Sequence, residues 1–128
     1  MSEKAISVLF LIVAVIHFLP LQGVIGQARL AALYGVELGD PNLLVLMRHR
    51  AVMFGLFGGL FALAAFWPAA QPLALVAGLV TTVSFLVIAK LVGDYNPAIH
   101  KVVIADVVAV VCLVLAVVLR FMNNGQSS

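Results

Sequence analysis

Five ionisable residues of this chain lie within or beside long apolar runs, and their side chains could bind or react with a small molecule. They are His17, Arg48, Arg50, His100 and Asp106. A guanidinium forms paired, charge-assisted hydrogen bonds with a phosphate or a carboxylate, and an imidazole or a carboxylate can orient a ligand or transfer a proton. Because a charge kept inside an apolar helix is costly, it usually faces a partner or a cavity. These residue types predict a polar pocket for an amphipathic or anionic small molecule or lipid.

The two arginines have a second interpretation, as anchors whose charged ends reach phosphate headgroups. Of the two, Arg48 is the better candidate for the pocket, because Ala51 and Gly55 place it on the small-residue face of its helix. Arg50 is expected to point away from this small-residue face.

The other three residues also have structural interpretations. Asp106 is expected to face the bundle interior beside Ala109, where it either serves the pocket or pairs with a basic group. His17 either serves the pocket or bonds a carbonyl group freed by Pro20. His100 lies one turn into its helix, where it also suits an interfacial anchor.

Metal binding and nucleophilic catalysis have weaker support. His17, His49 and His100 come from three different runs, but no pair has the spacing of a local ligand motif such as His-Glu-x-x-His. Ser84 lies within an apolar run without a base nearby in the sequence. We therefore expect no metal and no cofactor.

The composition explains why these few polar residues matter. Of the 128 residues, 65% are hydrophobic and 9% are charged, with a formal net charge of +2. Soluble domains carry about 25% charged residues, so this chain has too little polar surface to coat a water-soluble globule. The small net charge provides no basic patch, and nucleic acid is not an expected partner.

The apolar runs predict an all-α integral membrane bundle, formed by a single domain of four transmembrane helices. Their expected bounds are about 4–25, 41–67, 72–92 and 97–122, with a short interfacial helix at Gln27–Tyr34 and a kink before Pro20. Asp40-Pro41 and Asn96-Pro97 are typical helix starts, and Gly35 and Gly93 typical ends. With helices that alternate in direction, His17, the two arginines and Asp106 all lie about 10–14 Å from the same side.

Small residues at helical spacing mark the expected packing faces. In the second long helix they are Ala51, Gly55, Gly59 and Ala62, and in the fourth they are Ala105, Ala109, Cys112 and Ala116. Such a face also suits association of two copies, so a homodimer is one expectation. The hydroxyls of Thr81 and Ser84 are expected to bond back to carbonyl groups of their own helix.

The basic residues predict the orientation. The connections after the first and third long helices, with their flanking turns, hold Arg29, Arg48, Arg50, Lys90 and Lys101, and the opposite side holds Lys4 and Arg120. The positive-inside rule then places both connections in the cytoplasm and both termini in the periplasm.

The segments His17–Pro20 (HFLP), Leu33–Val36 and Met47–Ala51 (MRHRA), together with Asp106, resemble a group of short bacterial inner-membrane proteins with four helices. The resemblance implies a fold and a location, not an activity. Some of these proteins are labelled phosphopantetheine adenylyltransferase. The soluble enzyme of that name is an α/β nucleotide-binding protein with a His-x-Gly-His element, which this sequence lacks. Small multidrug exporters also have four short helices, but with a glutamate in the first helix, where this chain has His17.

Three functions are consistent with these patterns. In the first, the chain binds an amphipathic molecule or membrane lipid: an arginine guanidinium contacts the polar head of the ligand, and the apolar tail of the ligand lies between helices. Alternatively, the charges only lock four helices together in a structural or assembly subunit. In the third hypothesis, the bundle dimerises into a small proton-coupled transporter in which His17 and Asp106 carry protons.

Overall fold

The chain folds into five α-helices in a computed structural model that describes residues 2–21, 27–35 and 39–126. The helices are α1 (Ser2–Phe18), α2 (Gln27–Tyr34), α3 (Pro41–Phe66), α4 (Gln71–Val92) and α5 (Pro97–Gln126), and a 3-10 turn at Pro68–Ala70 joins α3 to α4. No strand occurs in the described ranges. The all-α class and the four long helices are confirmed.

The predicted helix boundaries follow from capping groups. The Asp40 side chain accepts a hydrogen bond from the Asn42 backbone N–H at 2.9 Å, and Asn96 Oδ1 accepts one from the Ile99 N–H at 2.8 Å. These bonds satisfy N–H groups that the first turns of α3 and α5 leave without partners. Gly93 ends α4 with φ 65°, a left-handed conformation that favours glycine.

Two helix ends differ from the prediction. The α-helical part of α1 ends at Phe18, and residues 19–21 form a 3-10 turn, because Pro20 has no N–H to continue the α-helical bonding. The predicted continuation over 22–25 lies outside the described residues. At the other end of the chain, α5 continues to Gln126 rather than ending near Met122.

The long helices form a ring in the order α1, α3, α4, α5, with each helix contacting its two neighbours. Within the described ranges, α1 lies diagonally across from α4, and α3 from α5; the α3–α4 contact is the smallest of the four. Ser7 near the start of α1 donates to the carbonyl of Ala65 near the end of α3. This bond places those two helices antiparallel.

Half of the bundle is a packed apolar core. Phe10, Val13, Phe61 and Leu113 are at most 1% exposed, and small residues such as Ala109 fill the space between them. On α5 the predicted small face is buried at Ala109, Cys112 and Ala116 and half-buried at Ala105. On α3 the prediction is partly wrong: Gly58 packs against Phe18, whereas Gly59 is exposed with open space beside it.

The short helix α2 packs across the other end of the bundle, against α3 and α5. Tyr34 is 4% exposed and packs with Leu44, Met47, Ile99 and Val102. The side-chain amide of Asn96 donates to the carbonyls of Tyr34 at 2.8 Å and Gly35 at 3.1 Å. One asparagine therefore caps α5 and also holds the end of α2.

Four segments are long and apolar enough to cross a membrane: Glu3–Leu21, Pro41–Phe66, Pro68–Val92 and Pro97–Asn124. The outer surface of the bundle is apolar as well. Val45, Phe66 and Leu91 are 67%, 77% and 79% exposed. A continuous apolar surface of this kind is not stable in water but suits contact with lipid chains.

Candidate functional site

A cavity of about 340 Å³ lies between the four long helices, in the half of the bundle that α2 covers. It is lined by His17 of α1, Arg50, Met53, Phe54 and Phe57 of α3, Thr81, Ser84, Phe85 and Ile88 of α4, and Asp106 of α5. Most of these side chains are apolar or aromatic. The few polar groups are therefore concentrated on an otherwise apolar wall, as in many small-molecule sites.

The cavity has a buried floor and an exposed mouth. His17 and Asp106 are 1% and 5% exposed, whereas Ser84 is exposed and Met53 and Ile88 are 38% and 59% exposed. The exposed members belong to α3 and α4, the pair of adjacent long helices with the smallest contact. The cavity thus opens sideways between α3 and α4.

His17 is fixed in the floor by one hydrogen bond and two aromatic neighbours. Its Nδ1 lies 2.9 Å from the Val13 carbonyl oxygen, and its ring meets Phe61 edge-on with centroids 4.7 Å apart. A carbonyl oxygen only accepts, so Nδ1 carries the proton and Nε2 of the neutral ring is an acceptor. The predicted bond to a carbonyl freed by Pro20 is wrong. Pro20 leaves the Ile16 carbonyl without its helical N–H partner, but the acceptor for His17 is the Val13 carbonyl.

Asp106 faces the interior, as predicted from its position beside Ala109. Among the described residues it forms no hydrogen bond and no salt bridge, although the positive charge of Arg50 acts on its carboxylate. A buried carboxylate normally has hydrogen-bond donors around it. The capacity of Asp106 to accept hydrogen bonds is therefore directed at the cavity that it lines.

Arg50 is surrounded by aromatic rings. Its guanidinium carbon lies 4.7 Å from the ring centroid of Phe54, 5.3 Å from that of Phe85 and 5.9 Å from that of Tyr34. Such cation–π contacts replace part of the hydration that this half-buried cation loses. They do not use its five N–H donors, and within the described part of the chain Arg50 donates no hydrogen bond.

The order of the two arginines is the reverse of the prediction. Arg48 is exposed and does not line the cavity, whereas Arg50 does. The small-residue face of α3 packs against α1 and the 3-10 turn that follows it, where Gly55 lies next to Leu21. The cavity lies on the α4 side, and Arg50, Phe54 and Phe57 face it at the spacing of one helix face.

His100 also lies apart from the cavity. Its exposed ring stacks on Tyr95, with centroids 6.1 Å apart and an interplanar angle of 27°. At three residues after Pro97 it is about 5 Å along α5, well short of Asp106. This placement fits the alternative interpretation of His100 as an interfacial anchor.

Sequence reasoning missed the aromatic part of the site: Tyr34, Phe54, Phe57 and Phe85. The available signal was the spacing of Phe54 and Phe57, which follow Arg50 by four and seven residues. The hydroxyls of the cavity wall behave as predicted, since Thr81 Oγ1 donates to the Gly78 carbonyl at 3.0 Å and Ser84 Oγ to the Thr81 carbonyl at 3.1 Å.

Across the described ranges, no three histidine, cysteine or acidic residues come close enough together to hold a metal ion. The polar groups of the cavity lining are a guanidinium, a carboxylate, an imidazole and the hydroxyls of Thr81 and Ser84. These groups can bind a polar head through hydrogen bonds while the wall accepts an apolar chain.

No protein-family model, curated protein or solved structure matches this chain.

Proposed function

We propose that this protein is an integral membrane protein whose lateral cavity binds an amphipathic small molecule or lipid. The polar head lies against Arg50, Asp106 and His17, and the tail leaves between α3 and α4. One observation carries the proposal: Arg50 and Asp106 line the same cavity, and neither has a hydrogen-bond partner among the described residues. No fully buried side-chain nitrogen or oxygen atom of the described residues lacks a hydrogen-bond partner, so the unpartnered atoms of Arg50 and Asp106 are open to the cavity, where a ligand with matching groups completes the site.

The position of the polar floor supports an amphipathic ligand over a water-soluble one. Arg50 and Asp106 each lie nine residues after the start of their helices at Pro41 and Pro97, which is about 13 Å along the axis. Because α3 is about 39 Å long and a hydrocarbon core about 30 Å thick, both residues lie within the hydrocarbon region. A ligand reaches this depth most readily from the lipid, through the exposed mouth between α3 and α4.

The absence of a direct ion pair disfavours a purely structural role for the charges. A structural lock would join Asp106 to a basic side chain, and no such salt bridge occurs in the part of the chain that the structure describes. The proton-coupled dimer has less support. Of the expected dimer face, Ala51 is buried and Gly55 packs against Leu21 of the same chain, which leaves Gly59 as the glycine of that face with open space beside it.

We further propose a location in a bacterial inner membrane, with both termini in the periplasm. Because Arg50 lines the cavity, it is removed from the count of topology signals. The predicted cytoplasmic side then retains Arg29, Arg48, Lys90 and Lys101, four basic residues against Lys4 and Arg120. The excess still favours this orientation under the positive-inside rule.

Native mass spectrometry of variants that block the mouth tests the binding function. Ser84→Trp places a large ring at the mouth, whereas Val83→Trp places the same ring at an exposed position of α4 outside the cavity lining. The wild type and Val83→Trp are expected to retain a co-purified amphiphile that Ser84→Trp has lost. Identical adducts on all three proteins would show that the cavity is not the binding site.

A further inference from the structure

We infer that the ligand of this cavity is an electrically neutral amphiphile with a single apolar chain and a hydroxyl-bearing head. The inference rests on the proposed binding function and narrows the ligand class. It replaces the anionic head, which the arginines alone suggested, with an uncharged one.

The charge balance of the lining is the first reason. Its ionisable groups, among the described residues, are one guanidinium, one carboxylate and one imidazole. The imidazole is a neutral donor at Nδ1, held by the Val13 carbonyl, and the charges of Arg50 and Asp106 offset one another. An anionic head would leave the occupied cavity with a net negative charge, and a cationic head with a net positive charge. Net charge at this depth is costly, because the surrounding lipid cannot solvate it.

The hydrogen-bonding groups are the second reason. Arg50 offers only donors, whereas the Asp106 carboxylate and His17 Nε2 offer acceptors. A carboxylate or a fully ionised phosphate head could satisfy Arg50 but has no hydrogen to donate to Asp106 or His17, and a phosphate monoester has one to donate only in its singly ionised form. A hydroxyl group can accept from Arg50 and donate to either acceptor. A head with two hydroxyl groups, such as a glycerol, is therefore complementary to the whole floor.

The shape of the site is the third reason, and it limits the number of chains. The cavity volume of about 340 Å³ is near the lower end of the range for small-molecule sites. The aromatic side chains of Phe54, Phe57 and Phe85 occupy much of the wall. A head and the first part of one chain fill this space, and the rest of the chain lies at the open α3–α4 side among lipids.

Competition between three probes with similar apolar chains tests the inference. Monolaurin is neutral, dodecyl phosphate is anionic and dodecylamine is cationic at neutral pH. We expect native mass spectrometry of the wild type in a neutral detergent with an equimolar mixture to show monolaurin bound about tenfold or more over each charged probe. Val83→Trp is expected to keep this preference and Ser84→Trp to lose all three adducts.

Charge variants of the floor give an independent result. Asp106→Asn leaves an excess positive charge and should shift the preference at least about tenfold toward dodecyl phosphate, and Arg50→Gln should shift it similarly toward dodecylamine. A wild-type preference for dodecyl phosphate that Ser84→Trp abolishes would overturn the neutral-ligand inference and leave the binding function standing. Equal retention of all probes by the wild type and Ser84→Trp would instead overturn the binding function itself.

Discussion

Removing the charge of Asp106 and removing the charge of Arg50 are expected to have unequal effects on the stability of the bundle. Asp106 is 5% exposed and has no hydrogen-bond donor among the described residues. Its burial therefore opposes folding, and Asp106→Asn removes that cost. Arg50 keeps its three aromatic neighbours in this variant but loses the negative charge that offsets its own. The two effects oppose one another, so we expect the free energy of unfolding to change by less than about 1 kcal/mol in either direction.

Arg50→Gln is expected to lower stability. It removes the cation–π contacts with Tyr34, Phe54 and Phe85, which contribute about 0.5–2 kcal/mol each according to how far they are desolvated. It also leaves the Asp106 carboxylate without a nearby positive charge. We expect a net loss of about 1–3 kcal/mol, because the three contacts share one cation and removing the charge also removes its desolvation cost. Lys101→Gln, which removes an exposed positive charge, should change stability by less than about 0.5 kcal/mol.

The assay is reversible unfolding in mixed micelles by titration with dodecyl sulfate, followed by circular dichroism, on both single variants and the double variant. If the charges only lock the helices, each single variant should lose about 3 kcal/mol or more. The double variant should then be no less stable than either single variant, because the second change removes the charge left unpaired. That pattern would refute the reasoning from the missing ion pair.

Three further predictions concern packing and capping, each measured by the same titration. Gly78→Ala places a methyl group 2.8 Å from a ring carbon of Phe61 and should lower the free energy of unfolding by about 1–3 kcal/mol. Gly59→Ala places its methyl group in open space and should leave stability unchanged or raise it by about 1 kcal/mol. Equal effects would contradict the packing of α3 against α4. Asn96→Ala loses a helix cap and two hydrogen bonds to the end of α2 and should lower the free energy of unfolding by about 2 kcal/mol. Asp40→Ala loses a helix cap alone and should lower it by about 1 kcal/mol. Equal losses would contradict the link between Asn96 and α2. Tyr34→Phe keeps the ring over the Arg50 guanidinium, and its stability should stay within about 0.5 kcal/mol of wild type. Tyr34→Leu removes the ring and should lower the free energy of unfolding by about 1–2 kcal/mol. An equal loss in both variants would mean that the hydroxyl, and not the ring, provides the stabilisation.

The helices and their starts could be predicted because their signals are local. Asp40-Pro41 and Asn96-Pro97 combine a side-chain acceptor with a residue that needs no N–H partner, and both segments fold as expected. The end of α1 could be placed less well. Pro20 indicated a break in the bonding, but whether the helix kinks or stops depends on contacts that the sequence does not specify.

The level of the site along the helices could be predicted, whereas the direction of each side chain could not. Counting residues from the helix ends placed His17, Arg50 and Asp106 in one layer, and the structure brings these three to one cavity. The choice between Arg48 and Arg50 depended on which neighbour the small face of α3 contacts. That face packs against α1. A single sequence gives the angle around the helix axis between Arg48 and Arg50, but it does not show which neighbouring helix each side chain faces.

Photolabelling with a diazirine-bearing derivative of monolaurin tests the central claim most directly, because it records which residues surround a bound amphiphile. Labelled positions, mapped by peptide mass spectrometry, should fall at 50–57 of α3 and 81–88 of α4, on the residues that line the cavity. Excess unlabelled monolaurin should remove this labelling, and Ser84→Trp should prevent it. Labelling spread over outward-facing residues such as Val83 and Leu91, unaffected by excess monolaurin, would contradict the account.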